Sequence, residues 1–151
     1  MVDLKGEPLH ILLVEDNEDH AELVMRGMRD QQVANRIHHV ADGEQALDYL
    51  FSRGAFADPG KNPRPNLVLL DLRLPRVDGL EVLRIIKTTP ALLRIPVVVL
   101  TSSDAESDII KSFDYHANSY VVKPLDFKTF TNLMKDLGFY WLGWNAKPLP
   151  E

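Results

Sequence analysis

The chain has 151 residues, of which 45 % are apolar, so it can form the core of a single domain of the usual size. Its formal net charge of −5 argues against nucleic-acid binding through an overall positive field, and the lack of cysteine excludes disulfides, thiolate zinc sites and cysteine nucleophiles. No apolar run reaches the ~18 residues of a membrane span, and residues 1–8 lack a signal-peptide core, so we expect a cytoplasmic protein that binds neither membranes nor nucleic acid.

The first part of the chain alternates predicted strands and helices. An apolar run at 10–14 predicts a strand, and Asn17 is the expected N-cap of the amphipathic helix that follows it. A more polar strand is predicted at 36–40, before a second helix at about 44–51. Residues 52–66 hold three prolines and two glycines, which predicts a long surface loop.

The later strands are shorter and more apolar. Residues 67–70 and 97–100 are apolar throughout, as in strands that a parallel sheet buries on both faces, and a fifth strand is predicted at 119–122. Further helices are predicted to begin near Asp78, Asp104 and Asp126. Five strands in alternation with five helices predict an α/β fold with a doubly wound parallel sheet of flavodoxin-like order 2-1-3-4-5.

Four of the predicted strands end at reactive polar side chains. These side chains are Glu15 and Asp16, Asp71, Thr101 and Lys123. Because parallel strands place their carboxyl ends along one edge of the sheet, where ligands bind in this architecture, we expect these side chains to converge. Three neighbouring carboxylates repel one another, and a divalent cation that prefers hard oxygen ligands, Mg²⁺ or else Mn²⁺, would offset that repulsion.

The lysine and the threonine predict that the second ligand is an anionic phosphoryl group, since an ammonium and a hydroxyl can both bind its oxygens. A carboxylate can itself be the nucleophile, and Asp71 is the best candidate because it ends the central strand between the acidic pair and Lys123. Any one of these residues would more often be a cap or a surface charge, so the prediction depends on their combination. The five histidines share no spacing with this cluster, and we assign them no role.

Four stretches of the chain carry a resemblance to a known family. They are residues 11–17 (ILLVEDN), 67–75 (LVLLDLRLP) with Asp78-Gly79, 96–102 (PVVVLTS) and 120–124 (YVVKP). In this order and spacing, the chain resembles the receiver domain of two-component response regulators over nearly its whole length. Its proline-rich loop and the aromatic residues 139–142 (FYWL) are similar, more narrowly, to single-domain regulators that act with bacterial and cyanobacterial phytochromes.

The resemblance implies a role for each site residue. Asp71 would accept a phosphoryl group from a sensor histidine kinase, which the narrower resemblance makes a phytochrome. Asp16 and Asp71 would bind Mg²⁺ directly and Glu15 through water, and the backbone carbonyl of Arg73 would complete the protein ligands. Lys123 would contact the phosphoryl oxygens. The chain is thus expected to be a phosphoacceptor signalling protein rather than an enzyme.

The resemblance also implies a conformational switch. Thr101 would move to the phosphoryl group, the ring of Tyr120 would turn into the vacated space, and Ser102 belongs to the same site. The Lys123–Pro124 peptide bond is expected to be cis, because X–Pro bonds carry only a small cis penalty. Arg73 stands two residues after the acceptor, and we expect it to shield the phosphoryl group and slow its hydrolysis.

We expect a receiver domain at 9–138, preceded by an extension at 1–8 and followed by an aromatic tail at 139–151. With no residues left for an output domain, signalling would pass through protein contacts. The fourth helix, the fifth strand, the fifth helix and the tail are expected to form a homodimer contact. Alternatively, the tail folds back on its own core.

Three other functions fit the residues less well. A pseudo-receiver scaffold that carries no phosphate predicts the loss of Asp71, Asp16 or Lys123, and all three are present. A phosphohydrolase with an aspartate nucleophile needs a second aspartate where Arg73 stands. A flavodoxin-type cofactor site needs a phosphate loop rich in Ser, Thr and Gly, whereas residues 15–19 are acidic and would repel phosphate.

Overall fold

The computed structural model describes residues 9–29 and 35–138. The predicted extension at 1–8 and the aromatic tail at 139–151 lie outside these described residues, so the predictions made for them stay predictions. None of the described helices combines the length and the apolar character that crossing a bilayer requires.

The fold is an all-parallel five-stranded sheet in the order β2-β1-β3-β4-β5, which confirms the doubly wound arrangement predicted above. The strands are β1 (Leu9–Val14), β2 (Asn35–Val40), β3 (Leu67–Leu70), β4 (Val97–Thr101) and β5 (Ser119–Val122). The helices are α1 (Glu18–Arg29), α2 (Gly43–Leu50), α3 (Gly79–Thr88), α4 (Glu106–Asp114) and α5 (Phe127–Gly138).

The register of the central strands aligns their carboxyl ends. Val14 of β1 lies beside Leu70 of β3, and Leu70 lies beside Val99 of β4. The residues that follow β1 and β3 therefore emerge at the same level of the sheet. This common edge is where the polar side chains predicted to form a site are brought together.

Alternation along β1 divides the core between the two faces of the sheet, because successive side chains of a strand point to opposite sides. Leu12 and Val14 pack with apolar residues of α2 and α3 on one face. Ile11 and Leu13 pack with apolar residues of α1 and with Phe130 of α5 on the other. Burial on both faces explains why β1, β3 and β4 read as almost continuously apolar runs.

Side-chain caps define where two of these helices begin, as predicted. The side-chain oxygen of Asn17 accepts a hydrogen bond from the amide of His20 at 3.0 Å, which caps α1. Asp126 accepts one from the amide of Thr129 at 2.8 Å and caps α5 in the same way. Both caps lie in the loops that leave the carboxyl edge of the sheet, so they also position residues near the predicted site.

The long loop contains one element that the sequence did not predict, a short 3₁₀ helix at Gly54–Phe56. Gly54 has a φ of +57°, which favours glycine, and the ring of Phe56 packs on that of Tyr49 with centroids 5.4 Å apart. The Tyr49 hydroxyl donates a hydrogen bond to the carbonyl of Pro63 at 2.9 Å. Tyr49 of α2 thus contacts the loop at two points, Phe56 and Pro63.

Candidate functional site

The backbone carries the sheet pairing one residue past the ends of three strands. The amide of Asp71 donates to the carbonyl of Val14 at 3.0 Å, and the amide of Lys123 donates to that of Thr101 at 2.7 Å. The amide of Glu15 donates at 3.0 Å to the last residue of β2. Glu15, Asp71, Thr101 and Lys123 are all buried. The side chains predicted to converge therefore occupy one buried cluster at the sheet edge.

The close packing of α3 against the end of β3 depends on a glycine. A Cβ atom at Gly79 would lie only 2.3 Å from the carbonyl oxygen of Asp71 and 2.5 Å from Cα of Leu72. Asp78 caps the helix by accepting a hydrogen bond from the amide of Leu80 at 3.3 Å. The sequence Asp78-Gly79 thus lets α3 begin directly against the backbone that presents Asp71.

Both carboxylate oxygens of Asp71 are engaged. Lys123 Nζ donates to Oδ2 at 2.9 Å, while the Thr101 hydroxyl at 2.8 Å and the Arg73 amide at 3.1 Å donate to Oδ1. Lys123 also forms an ion pair with Glu15, and the side chains of both residues are 2 % exposed. The ammonium therefore links two buried carboxylates, with little water to weaken either contact.

The two buried carboxyl groups have opposite pKa shifts. Burial raises the pKa of Glu15 to about 7, against the opposing influence of Lys123. Burial acts in the same direction on Asp71, but Lys123 and the hydrogen bonds from Thr101 and Arg73 outweigh it and lower the pKa of Asp71. Asp71 is therefore ionised at neutral pH, as a nucleophile must be.

Three carboxylates at this edge have the spacing of a cation site. Glu15, Asp16 and Asp71 each offer an oxygen, and the three oxygens lie within 4.8 Å of one another. Glu15 and Asp71 are buried, whereas Asp16 is exposed at the mouth of the cluster. A set of hard oxygen donors that is open to solvent on one side suits Mg²⁺ or Mn²⁺, which retain water ligands.

The side chain of Arg73 points from this loop to α4. Its guanidinium forms an ion pair with Asp108, which also accepts a hydrogen bond from the Ser103 hydroxyl at 2.6 Å. The Tyr120 hydroxyl in turn donates to the backbone carbonyl of Ser103 at 2.7 Å. A chain of polar contacts thus connects the loop after Asp71 with α4 and β5. Ser102, also placed in the site by prediction, is exposed beside the end of β4.

One prediction for this region is wrong. The described residues contain no cis peptide bond, so the Lys123–Pro124 bond is trans. Trans is the lower-energy form of an X–Pro bond by about 0.5–1 kcal/mol, and a pattern of residue types cannot show whether tertiary contacts overcome that difference.

Sequence reasoning also missed two histidines. Nδ1 of His20 lies 3.0 Å from Lys123 Nζ, and Nε2 of His39 donates to the backbone carbonyl of Glu15 at 2.7 Å. The available signal for His20 was its place in the first turn of the helix that follows the acidic pair. Using that signal requires knowing that α1 packs against α5, the helix that follows Lys123, and residue spacing along the chain does not show this.

Comparisons with known proteins agree with this geometry. Residues 11–135 match the family model of the response regulator receiver domain. The chain is 46 % identical to the probable methanogenesis regulatory protein FilR2 of Methanothrix harundinacea, over 95 % of this chain and 90 % of that protein. It is 39 % identical to the response regulator Rcp1 of Synechocystis, over 94 % of this chain and 95 % of that protein.

Two solved structures have nearly the same fold. The crystal structure of the Mn²⁺-bound form of the response regulator Rcp1 superposes with a TM-score of 0.89 at 39 % identity, covering 94 % of this chain and 100 % of that one. The phosphorylated cyanobacterial phytochrome response regulator RcpA also gives a TM-score of 0.89, at 38 % identity, covering 95 % of this chain and 100 % of that one.

Proposed function

The chain belongs to the response regulator receiver domain family, and from this premise we propose that Asp71 accepts a phosphoryl group from a sensor histidine kinase. The observation that carries the proposal is the environment of the Asp71 carboxylate. It is ionised, its oxygens accept from Lys123 and Thr101, and two further carboxylates stand within reach of a shared cation. The phosphorylated relative RcpA supports the same chemistry.

In the proposed transfer, an oxygen of Asp71 attacks the phosphorus of a phosphohistidine. The O–P bond forms as the N–P bond breaks, and the electron pair of the N–P bond returns to the histidine ring, which leaves neutral when its other nitrogen is protonated. A divalent ion held by Glu15, Asp16 and Asp71 would supply positive charge beside the phosphoryl oxygens, with the Arg73 carbonyl as its further protein ligand. Mg²⁺ is the proposed ion, and the Mn²⁺-bound form of Rcp1 supports a divalent metal.

Lys123 and Thr101 would then exchange one partner for another. Phosphorylation replaces the single negative charge of the Asp71 carboxylate by a phosphoryl group of about −1.5 to −2, with strong acceptor oxygens, next to the Lys123 ammonium. The Thr101 hydroxyl, which donates to Asp71 at 2.8 Å, would turn its proton to a phosphoryl oxygen. Tyr120 would follow Thr101 inward and leave the Ser103 carbonyl that its hydroxyl now contacts.

We also propose that Arg73 slows the hydrolysis of phosphorylated Asp71. Its amide already donates to Asp71, so its side chain starts within reach of the acceptor. The guanidinium is bound to Asp108, and it would have to leave that carboxylate to cover the phosphoryl group. The Arg73 guanidinium can therefore shield the phosphoryl group or bind Asp108 of α4, but it cannot do both at once.

The proposed kinase is of the phytochrome type, and the proposed assembly is a homodimer. Support for the kinase is the likeness to RcpA, a cyanobacterial phytochrome response regulator. Support for the homodimer is a set of exposed apolar side chains on α4, β5 and the loop that follows β5. These are Ile110, Phe113, Val122 and Leu125. Exposed apolar surface of this kind is typical of interfaces.

The tail at 139–151 is proposed to extend this contact. Light scattering of the full chain and of a chain truncated after Gly138 tests its part. A dimer that becomes a monomer on truncation supports the proposal, whereas an unchanged mass removes the tail from the interface.

Incubation with Mg²⁺ and acetyl phosphate, followed by intact mass spectrometry, tests the function. We expect the wild-type chain to gain one phosphoryl group without a kinase, because the site supplies the transfer chemistry itself. Asp71→Asn keeps the shape of the side chain and should gain none, and omission of Mg²⁺ should also prevent the gain. A wild-type chain that stays unmodified would instead be a scaffold that does not carry phosphate.

A further inference from the structure

The Lys123 ammonium has a third partner besides the two carboxylates. Nδ1 of His20 lies 3.0 Å from Nζ, while the other contacts go to Glu15 and Asp71. An ammonium has three N–H donors, so these three residues account for all of them. Because Lys123 is buried, each of these donors needs a protein partner to offset the loss of water.

The contact determines the state of the imidazole ring. An ammonium can donate hydrogen bonds but cannot accept one, so Nδ1 of His20 must present its lone pair to Lys123. The ring is then neutral and carries its proton on Nε2. Burial and the charge of Lys123 both lower the pKa of His20, which favours the same neutral form.

Two separate elements hold the ring in place. The backbone amide of His20 donates to the side chain of Asn17 at 3.0 Å, which caps the first turn of α1. The imidazole also packs against Phe130 of α5 with ring centroids 5.7 Å apart. His20 is therefore placed by the cap of α1 and by its contact with Phe130 of α5.

The three partners of Lys123 differ in what happens to them during phosphoryl transfer. Asp71 is the reacting group, and its contact with Lys123 must be redirected once the phosphoryl group is attached. Glu15 belongs to the carboxylates proposed to hold the cation. His20 neither reacts nor supplies an acidic oxygen, so its contact with Lys123 can persist unchanged from the start of the reaction to its end.

We propose that His20 is a positioning residue, which holds the Lys123 ammonium in place so that it faces the phosphoryl group during transfer. This inference rests on the function proposed above for Asp71 and Lys123. A neutral acceptor suits the role because two carboxylates, Glu15 and Asp71, already contact the ammonium. A third carboxylate would compete with the phosphoryl oxygens for its positive charge, whereas a neutral imidazole would not.

Two substitutions at position 20 distinguish the loss of the hydrogen-bond acceptor from the loss of the packing of the ring. His20→Asn places an amide oxygen near the position of Nδ1 and keeps an acceptor. His20→Leu removes the acceptor but retains an apolar contact for Phe130, and leucine is a good helix former in α1. His116→Asn is the matched control, because His116 is exposed and its φ of +65° is tolerated by asparagine.

Each full-length variant is incubated with Mg²⁺ and a series of acetyl phosphate concentrations, and the rate of phosphoryl gain is followed by intact mass. We expect His20→Leu to lower the maximal rate about ten-fold, the effect of losing a hydrogen bond to a charged group in the transition state. His20→Asn should stay within about three-fold of wild type, and His116→Asn should match it. The half-saturating acetyl phosphate concentration should be unchanged in all three. The melting temperature should fall only in His20→Leu, which leaves one buried N–H of Lys123 without an acceptor, so the rates are compared well below that temperature.

The proposal is overturned if His20→Leu reacts at the wild-type rate, or if His20→Asn loses as much rate as His20→Leu. It is also overturned if nitrogen-15 NMR of the wild-type chain finds a proton on Nδ1 of His20. These outcomes differ from a failure of the proposed function, in which the wild-type chain gains no phosphoryl group at all.

Discussion

Two neighbouring helices, α3 and α4, are held in place by different forces. The buried side of α3 is apolar and includes Val82, Leu83 and Ile86. The buried residues of α4 are Asp108 and Ser112. Two of its larger apolar side chains are exposed instead, Ile110 at 51 % and Phe113 at 49 %, while Ile109 is half-buried. The buried side of α3 is thus apolar, whereas the buried side chains of α4 are polar.

Their first turns differ in the same way. The side chain of Asp78 caps α3, whereas Ala105 precedes α4 and provides no side-chain hydrogen bond. Instead, α4 is connected through Asp108 to Arg73 and Ser103, in the loops that follow Asp71 and Thr101. The position of α3 is therefore set by the core, while that of α4 depends on the loops of the site. A change at the Asp71 side chain can reach α4 through these side-chain contacts, whereas α3 meets Asp71 through its backbone.

The largest expected effect is on stability, in α3. Leu83→Ala removes a fully buried side chain and should lower the free energy of unfolding by about 2–5 kcal/mol. Ile110→Ala removes a half-exposed side chain from α4 and should change it by less than about 0.5 kcal/mol. Urea unfolding measures both. Equal losses of unfolding free energy would mean that α4 is packed as firmly as α3, and the proposed difference between the two helices would be wrong.

Asp108→Ala should loosen α4 without loosening α3. It removes the partner of Arg73 and Ser103, and because the Arg73 side chain is 61 % exposed we expect a modest global cost of about 1 kcal/mol. The sharper readout is hydrogen exchange, where amides of α4 should exchange faster and those of α3 should keep their rates. Asp114→Ala, an exposed change in the same helix, is the control and should leave both unchanged. Unaltered exchange in α4 would show that the polar contacts do not hold it.

A smaller effect is expected on the hydrolysis rate of phosphorylated Asp71, which depends on whether Arg73 contacts the phosphoryl group or Asp108. If its guanidinium can cover the phosphoryl group, Arg73→Ala should speed the hydrolysis of phosphorylated Asp71 by a few-fold, the effect of one charge contact of about 1 kcal/mol. Asp108→Ala releases the guanidinium from α4 and should slow hydrolysis. Loss of the phosphoryl group from the purified phosphoprotein measures both rates, with Arg84→Ala on α3 as the control. An unchanged rate in Arg73→Ala would exclude the shielding role.

The difference between the helices also explains what the sequence could predict. Residues 67–70 are apolar throughout, and burial in a parallel sheet follows from that fact alone. The convergence of Asp71, Thr101 and Lys123 follows from parallel strands with polar ends. Both predictions depend on rules that hold along the chain or across a sheet, so one sequence is enough to make them.

The contacts that the sequence did not predict depend on how a helix is rotated about its own axis. The contacts of His20 with Lys123 and of Asp108 with Arg73 require the rotation of α1 and α4 about their axes. An apolar stripe predicts that rotation for α3. It misleads for α4, where the buried positions are polar. The trans Lys123–Pro124 bond was missed for a related reason, because a preference of about 1 kcal/mol is decided by surrounding contacts rather than by residue type.

The smallest expected effect is at Ser112, on the buried side of α4. Its hydroxyl is fully buried and, within the part of the chain that the structure describes, has no hydrogen-bond partner. Ser112→Ala removes the cost of burying that unpaired hydroxyl and should raise the free energy of unfolding by about 0.5–1 kcal/mol. Urea unfolding beside Ser107→Ala, an exposed change in the same helix, measures the gain. A loss of stability instead would mean that the hydroxyl is bonded and that α4 is held from within the core after all, as α3 is.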